Sequence, residues 1–346
     1  MRELANELLA GQEAWVVGGA VRDELLGREL VDLDIAVREP KAAARAYANR
    51  SGGAPFQLSD RHGAWRVALA DGRTVDFTPF PGTIEEDLAT RDFTINAIAV
   101  PLAGGEPVDP FEGRADLDAK LIRAVSPTVF TDDPLRLMRA ARLEDELGFR
   151  LEPETERLLR ENAALVSVPA RERTLAELVC LSVDGYRRAD ELGLLAPLEG
   201  SSAGLDRPVL VDRPAFRLVA VFGEALRRFP VSNETKRYAQ KLLAATAPED
   251  GSPRSIHRFR RATEPWALDA LAFAGAKELA GAIEEARRNE PSEPLVRGEE
   301  LGLPPGPEIG RLLAEIDEER AAGTIATKEE ALDYARRNAR AVRDNG

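Results

Sequence analysis

The stretch VVGGAVRDELLGRELVDLDIAV, residues 16–37, decides the fold of the first part of the chain. An apolar run leads into two glycines, a short helical pattern follows, and residues 30–37 alternate between apolar and polar side chains. Alternation with a period of two predicts a strand. The order of strand, glycine pair, helix and strand indicates a small domain that mixes helices with a sheet.

The second predicted strand carries Asp32 and Asp34 on one face, and the apolar residues at positions 31, 33, 35 and 37 on the core face. Two carboxylates separated by about 6.6 Å along a strand repel each other unless a cation lies between them. Oxygen ligands without a nearby imidazole favour Mg²⁺ over zinc. A solvated outer face of an amphipathic strand is the alternative explanation of the same pattern.

A third carboxylate, Asp76, lies in the segment WRVALADGRTVDFTPF, residues 65–80. The two alternating runs in this segment predict a hairpin with a two-residue turn at Asp71 and Gly72. A carboxylate from a neighbouring strand would complete a site for two metal ions. We therefore expect Asp76 to act with the first two aspartates, helping to deprotonate a hydroxyl group.

The glycine pair, Gly18 and Gly19, lies between a predicted strand and a predicted helix. In this geometry backbone N–H groups hold phosphate, and Arg22 adds a charged donor. Glycines that merely end a strand would explain the same pair. Together with the aspartates that follow, the turn indicates phosphoryl or nucleotidyl transfer with two metal ions.

Composition excludes several classes of protein. The chain has 346 residues, enough for two or three cores, and 31% of them are charged, as in ordinary globular proteins. Cys180 is the only cysteine and His62 and His257 are the only histidines, which excludes an intrachain disulfide and argues against a zinc site. No apolar run approaches a membrane span and the N-terminus lacks a signal-peptide pattern, so we expect a cytoplasmic protein without a membrane partner.

The pattern changes at about Thr131, after which helical spacing dominates and strand patterns disappear. Three segments rich in Pro, Gly, Ser and acidic residues are candidate linkers: 197–208, 247–255 and 289–294.

Five motifs occur in an order that resembles the class II, or bacterial-type, tRNA nucleotidyltransferase and poly(A) polymerase family. They are GGAVRDELLGRELVDLDIAV (18–37), RDFTINAIAVPL (91–102), DPFEGRADLDAKLIRAV (109–125), DDPLRLMRAARL (132–143) and RERTLAEL (171–178). Residues 298–335 resemble the C-terminal segment of the same family. Enzymes of this family extend RNA 3′ ends without a nucleic-acid template.

The resemblance implies an α+β fold. A nucleotidyltransferase-type head with a mixed sheet would occupy residues 1–125, followed by an all-α region with a neck (126–185), a body (186–262) and an RNA-contacting tail (263–346).

The resemblance also implies roles for individual residues. Asp32 and Asp34 would bind Mg²⁺ and, with Asp76, perform catalysis. The nucleotide-binding residues would be Gly18, Gly19 and Arg22 at the triphosphate, Arg91 and Asp92 at the sugar and phosphates, Asp133 and Arg136 at the base, and Arg139 and Arg142 beside them. The segment 171–178 would support the neck without doing chemistry.

The implied base-selecting pair also makes chemical sense. Thr131 and Pro134 suit the start of a helix, which would place Asp133 and Arg136 on one face. A carboxylate accepts from an exocyclic amine and an arginine donates to the ring acceptor beside it, so the pair accepts cytosine and adenine and rejects uracil and guanine. An ordinary ion pair on a helix surface is the alternative.

The sequence departs from the family pattern at Thr90, where an arginine is usual, and at Asp132, where a glutamate is usual. The segment between Asp76 and Arg91 has 14 residues, with three consecutive acidic residues and no lysine or arginine. Relatives that add the terminal A carry a longer, basic, flexible loop here. A turn at 79–82 and a short helix from Thr83 would leave little free loop in this segment to reorganise the pocket from C to A. The segment therefore predicts efficient addition of C and comparatively poor addition of A.

Two stretches are basic although the net charge is −13: residues 254–261 and 335–343. Arginines along a helix can bind RNA phosphates in a shape-dependent way, and solvated helix faces are the alternative.

The sequence therefore predicts an enzyme that uses CTP, and ATP as well, with Mg²⁺ to mature tRNA 3′ ends through the acceptor arm. A specialist that adds only CC and a poly(A) polymerase remain alternatives, as does an inactive RNA-binding protein. We expect no DNA partner.

Overall fold

The computed structural model describes residues 1–59, 63–80 and 82–339, so that His62 lies outside the described residues. Contacts divide the chain between Glu199 and Gly200 into two compact units. This boundary lies inside the predicted linker at 197–208, while the finer boundaries at residues 125, 185 and 262 stay predictions. Among the described residues, no helix has both the length and the apolar character needed to cross a membrane.

The first unit is built around a mixed sheet. Its strands are β1 (Ala14–Val17), β2 (Asp32–Val37), β3 (Ala54–Ser59), β4 (Ala64–Ala68), β5 (Thr74–Pro79) and β6 (Ala99–Pro101). Their order is β3-β4-β5-β2-β1-β6, with β2 and β5 parallel and the other neighbours antiparallel. The predicted mixed-sheet head is confirmed.

Helices cover the sheet and form the rest of the first unit. They are α1 (Arg2–Leu8), α2 (Gly19–Leu25), α3 (Pro40–Ser51), α4 (Ile84–Ala89), α5 (Gly113–Ala119), α6 (Val129–Asp132), α7 (Leu135–Leu147), α8 (Pro153–Asn162), α9 (Arg171–Leu178) and α10 (Val183–Glu191). Single 3-10 turns occupy Thr94–Asn96, Ala163–Ser167 and Ala196–Leu198.

A second, very small sheet pairs β7 (Leu121–Ile122) with β8 (Arg150–Leu151) in parallel. The prediction that strands disappear after about Thr131 is wrong at β8. A strand of two residues is too short to show an alternating pattern, and its partner lies far away in sequence, so local periodicity does not reveal it.

The hairpin of β4 and β5 forms as predicted, but its turn is longer than two residues. Leu69 N–H donates to the Arg73 carbonyl at 2.9 Å and Gly72 N–H donates to the Leu69 carbonyl at 3.1 Å, which leaves three residues in the loop. Gly72 has a φ of +87°, in the left-handed region that glycine adopts without strain. A turn followed by a left-handed glycine is a common hairpin connection of this length.

The face of β2 that carries the aspartates is buried at one end. Ala36 belongs to a buried cluster with Phe80, Ile84 and Leu88, while Asp32 at the other end is exposed. This face is therefore not a solvated outer face. Val31, predicted to face the core, lies before the strand and is 55% exposed.

Among the described residues of the second unit, all regular elements are helices and none is a strand. Its helices are α11 (Pro214–Phe222), α12 (Asn233–Leu243), α13 (Pro253–Thr263), α14 (Ala267–Phe273), α15 (Ala280–Arg288), α16 (Pro307–Ala321) and α17 (Lys328–Asn338), with 3-10 turns at Ser202–Leu205, Gly223–Arg228, Lys277–Leu279 and Gly298–Leu301. Ile316 on α16 and Ala331 on α17 share a buried cluster. The predicted all-α character of this region is confirmed.

Candidate active site

The parallel pairing of β2 with β5 brings the predicted carboxylates together. Asp34 lies directly opposite Asp76, and Asp32 lies opposite Thr74, whose hydroxyl donates to it at 2.6 Å. Because opposite residues of paired strands share one face of a sheet, all three carboxylates are on the same face, as the alternation predicts.

Asp34 is the carboxylate with the least compensation. Within the described part of the chain it makes no ion pair, and Asp76 lies beside it. Burial, followed by the repulsion from Asp76, raises the pKa of Asp34 to about 6. A buried carboxylate with this pKa is stabilised by any cation that reaches it.

Asp76 has the opposite surroundings. Arg66 on β4 donates from Nε and Nη2 to the two carboxylate oxygens, at 2.7 Å each. Asp76 is only 8% exposed, so Arg66 compensates a nearly buried charge. Arg66 was not predicted as a site residue, although the hairpin contains the signal: Arg66 and Asp76 are equally far from Asp71, and the register pairs them.

The donors fit a divalent cation at Asp32 and Asp34. Both side chains offer oxygen atoms on one strand face, and because burial and Asp76 raise the pKa of Asp34, a nearby cation would favour its charged form. Asp76 does not join them as a third open ligand, because Arg66 occupies both of its oxygens. Accordingly, residues 1–59, 63–80 and 82–339 contain no group of three acidic, histidine or cysteine side chains placed to hold a metal ion.

The glycine pair forms the turn between β1 and α2. Gly18 has a φ of +68°, and a Cβ atom there would lie 3.2 Å from both Asp34 Oδ2 and Arg91 Nη1. The backbone conformation would strain any side chain at this position, and the ends of Asp34 and Arg91 would also have to shift slightly. A Cβ atom on Gly19 would lie 3.4 Å from Arg22 Nη2. The turn thus brings its backbone close to the carboxylate and to two arginines.

Arg22 is predicted to hold the triphosphate, but in this structure it is buried. It donates to both carboxylate oxygens of Asp23 and, at 2.9 Å, to Asn96 Oδ1. Asn96 in turn donates to Asp92 Oδ1 at 3.0 Å. Arg22 therefore connects the glycine turn to the Asp92 motif.

Asp92 is buried and well compensated. Phe93 N–H donates to it at 2.8 Å and Arg139 Nη1 donates at 3.1 Å. Burial by itself would raise the pKa of Asp92, but the Arg139 charge and the hydrogen bonds hold it below its usual value. Glu177 of α9 accepts from Arg139 Nε at 3.3 Å and from Arg142 Nε at 2.6 Å. Asn96 and Glu177 were not predicted as site residues, although both lie inside the quoted motifs.

The predicted helix start at the base-selecting pair is wrong. Thr131 lies inside α6, and α7 begins only at Leu135, so that Asp133 between them is extended with φ −141° and ψ 99°. A residue before a proline avoids the helical region, and Asp133 Oδ1 also accepts from Leu135 N–H at 3.2 Å. Asp133 therefore precedes the helix that carries Arg136.

The two members of this pair have other partners in this structure. Asp133 Oδ2 accepts from Arg173 Nη2 at 2.9 Å. Although burial opposes it, the bonds from Arg173 and Leu135 N–H hold the pKa of Asp133 below its usual value. Arg136 Nη2 donates to the Thr90 carbonyl at 2.6 Å.

One cavity of about 700 Å³ collects most of the predicted residues. The predicted site residues that line it are Gly18, Gly19, Asp34, Arg91, Asp92, Arg136 and Arg139. Five predicted site residues do not line it. Asp32 and Asp76 share the sheet face of Asp34, Arg22 donates to Asn96, Arg142 donates to Glu177, and Asp133 accepts from Arg173.

Described residues of the acidic segment after Asp76 form part of the cavity wall and make several hydrogen bonds. Thr83 caps α4, and Thr83 and Glu86 form a reciprocal capping box, as the predicted helix from Thr83 requires. Arg38 donates to the carbonyls of Phe80 and Gly82 at 2.8 Å each. The predicted turn at 79–82 includes residue 81, which lies outside the described residues.

The basic stretch 254–261 lies on α13, where its arginines have acidic partners. Arg254 pairs with Glu319 at 2.6 Å and Arg258 pairs with Glu318 at 2.6 Å, both on α16. Arg260 donates to Glu264 and to Glu290. Much of the positive charge of α13 is thus neutralised by its neighbours. Of the other basic stretch, 335–343, residues 340–343 lie outside the described residues.

Comparisons with known proteins agree with this geometry. The Poly A polymerase head domain family matches residues 14–80 and 66–123. The A-adding tRNA nucleotidyltransferase of Deinococcus radiodurans is 31% identical, over 94% of this chain and 95% of its own. The CC-adding tRNA nucleotidyltransferase of Thermus thermophilus is 32% identical, over 93% of each chain.

A solved structure is similar over nearly the same length. The Bacillus stearothermophilus CCA-adding enzyme in complex with CTP matches with a TM-score of 0.75 at 27% identity, over 97% of this chain and 96% of that one. The similarity therefore includes the helical region as well as the mixed-sheet head. This chain belongs to the tRNA nucleotidyltransferase family.

Proposed function

We propose that this enzyme adds C, and A as well, to the 3′ end of tRNA without a template, using CTP and ATP and releasing pyrophosphate. The cavity of about 700 Å³ carries this proposal, because it joins the glycine turn, Asp34, Asp92 and Arg136 from three separate sequence motifs. Its size suits a nucleoside triphosphate. Relatives named A-adding, CC-adding and CCA-adding enzymes support it.

Asp32 and Asp34 are proposed to hold Mg²⁺, the cation that an all-oxygen donor pair favours. When bound, Mg²⁺ supplies charge neutralisation at the triphosphate and a more acidic 3′-hydroxyl. The backbone of Gly18 and Gly19, beside Arg91, faces the same cavity and is proposed to bind the triphosphate. Asp76 is proposed as the third catalytic carboxylate, a role that requires Arg66 to release at least one oxygen.

Base selection is proposed to use Asp133 and Arg136. Asp133 would accept from the exocyclic amine of cytosine or adenine, and Arg136 would donate to the neighbouring ring acceptor. Both side chains must first exchange partners, Asp133 leaving Arg173 and Arg136 leaving the Thr90 carbonyl. Asp92, fixed by Arg139, is proposed to accept from the ribose hydroxyl.

A specialist that adds only CC is the second candidate, and the segment between Asp76 and Arg91 favours it. This segment is held by the capping box of α4, by Arg38 and by the buried side chains of Ile84 and Leu88. A segment with these contacts has little freedom to move, so it would not easily change the cavity from a shape that fits cytosine to one that fits adenine.

We further propose the head, neck, body and tail division at residues 125, 185 and 262, with the tail contacting the tRNA acceptor arm in the cytoplasm. The lone cysteine suits a reducing compartment. For α13, beside this tail in sequence, RNA binding requires its arginines to exchange glutamate partners for phosphates.

The test is end-product analysis on tRNAs that lack CCA, CA or only A, with each nucleoside triphosphate supplied separately. Addition of C and then A at comparable rates supports the first proposal, and addition of C alone supports the CC-adding candidate. Repeated addition of A to a general RNA would identify a poly(A) polymerase. Incorporation of no nucleotide would contradict all three.

A further inference from the structure

Arg66 is a cation already in place among the predicted catalytic carboxylates. It lies on β4 directly opposite Asp76 and binds both of its oxygens, at 2.7 Å each. Asp76 is in turn directly opposite Asp34 on β2. Three carboxylates therefore share one sheet face, but only two of them, Asp32 and Asp34, offer oxygens that no arginine holds among the described residues.

A metal ion that approached Asp76 in this arrangement would meet the guanidinium charge beside both oxygens. Two cations at one carboxylate repel each other, and the repulsion is stronger where water is excluded. Asp76 is nearly buried and Arg66 is partly exposed, so solvent screens this cost only in part. This arrangement of side chains thus offers two available ligands and a competing positive charge.

We propose that Arg66 is a positioning residue that holds Asp76 out of metal coordination until a nucleoside triphosphate arrives. The free enzyme then binds a divalent ion weakly, through Asp32 and Asp34 alone. The triphosphate oxygens add ligands and negative charge, so nucleotide binding and metal binding strengthen each other. This inference rests on the proposed nucleotidyltransferase site. It assigns to Arg66 a role in making metal binding depend on nucleotide binding.

The experiment measures Mn²⁺ binding to the full-length protein by electron paramagnetic resonance of the free ion, with and without CTP. Mn²⁺ binds to the same type of oxygen ligands as Mg²⁺. Without CTP, Arg66→Gln is expected to bind Mn²⁺ about tenfold more tightly than wild type, because the repulsion between the guanidinium charge and the ion is removed. Arg73→Gln is the matched control, since Arg73 pairs with Asp71 at the hairpin turn, and it should bind like wild type.

Two further variants make the result specific. Adding Asp76→Asn to Arg66→Gln should return the affinity to the wild-type level, because the gain comes from the freed Asp76 carboxylate. Arg66→Lys keeps the charge but cannot bind both oxygens of Asp76 at once, so it should give a smaller gain in Mn²⁺ affinity. This variant replaces Arg66→Gln if thermal melting shows that Arg66→Gln does not fold.

An Arg66→Gln affinity no higher than that of Arg73→Gln would overturn the role of Arg66, as would a gain that persists in the double variant. If wild type then still binds Mn²⁺ in the presence of CTP, the proposed function stands. Absence of Mn²⁺ binding to every variant, even with CTP, would overturn both the inference and the proposed metal site.

Discussion

Asp34 and Asp92 line the same cavity, but their surroundings have opposite electrostatic effects. Burial and Asp76 raise the pKa of Asp34 to about 6, whereas Arg139 and hydrogen bonds hold the pKa of Asp92 below its usual value against the effect of burial. Paired carboxylates with opposite pKa shifts commonly have different tasks. Asp92, whose charge is balanced by Arg139, fixes the positions of its neighbours. Asp34 has no such ion pair among the described residues, so a bound cation would stabilise it more.

The largest expected effect is the loss of transfer in Asp34→Asn. The amide keeps the shape of the side chain but removes the charge that is proposed to hold Mg²⁺, so incorporation of CTP into a CCA-less tRNA should fall by about three orders of magnitude or more. The thermal midpoint near neutral pH should not fall, because the substitution removes a partly buried charge that lies beside Asp76. Asp71→Asn, at the exposed hairpin turn, is the matched control. Near-native incorporation by Asp34→Asn would contradict the metal-binding role.

Asp92→Asn, unlike Asp34→Asn, should lower the stability of the protein. It leaves Arg139 with Glu177 as its remaining carboxylate partner and breaks a buried ion pair, which we expect to cost about 3 kcal/mol of unfolding free energy. Urea denaturation measures this cost. A variant as stable as wild type would show that the Asp92 charge does not contribute to the stability of the fold.

The next prediction asks whether Asp133, a carboxylate that already has an arginine partner, can also recognise the base of the nucleotide. Exchanging the charges with Asp133→Arg and Arg136→Asp reverses the donor and acceptor pattern, so the preference for CTP over UTP should fall by about a hundredfold. Single-nucleotide incorporation with each of the four triphosphates measures it. Arg187→Gln, which removes an exposed partner of Asp184, should keep the wild-type preference. If the double variant also keeps it, the base is read elsewhere.

The sequence predicts the β2 face well because local rules decide it. Alternation places Asp32 and Asp34 side by side, and the acidic first turn after Thr83 correctly predicts α4. The hairpin register also contains the Arg66–Asp76 pair, although a turn of assumed length two would shift that register. These features depend on residues close together in the chain.

Contacts between distant segments are what local patterns do not supply. The partner of Asp133 is Arg173, and Arg136 donates to the carbonyl of Thr90. Neither contact follows from the spacing of the residues in the sequence, because the motifs contain several arginines and the packing of the helices decides which acceptor each of them reaches. The extended conformation of Asp133 is different, since the following proline already disfavours a helix there.

The smallest expected effect concerns the pH dependence of stability, measured in EDTA so that no divalent ion occupies the site. The pKa of Asp34 is about 6 in the folded protein against an ordinary value of 3.8, so folding favours the protonated carboxyl. That contribution is fully present below the ordinary value and is lost as the pH rises through about 6. Ionised Asp34 should therefore cost about 3 kcal/mol at pH 7.5, and about half of that at pH 5.

Asp34→Asn removes this cost, so its stability gain over wild type should be larger at pH 7.5 than at pH 5. Asp71→Asn is an informative control because Arg73 lowers the pKa of Asp71, which gives a contribution of the opposite sign that is lost as the pH falls. Adding Mg²⁺ should stabilise wild type and leave Asp34→Asn nearly unchanged, since the ion supplies the compensation that the amide no longer needs. A gain for Asp34→Asn that is equal at both pH values would mean that Asp34 is compensated in the folded protein, and the contrast with Asp92 would disappear.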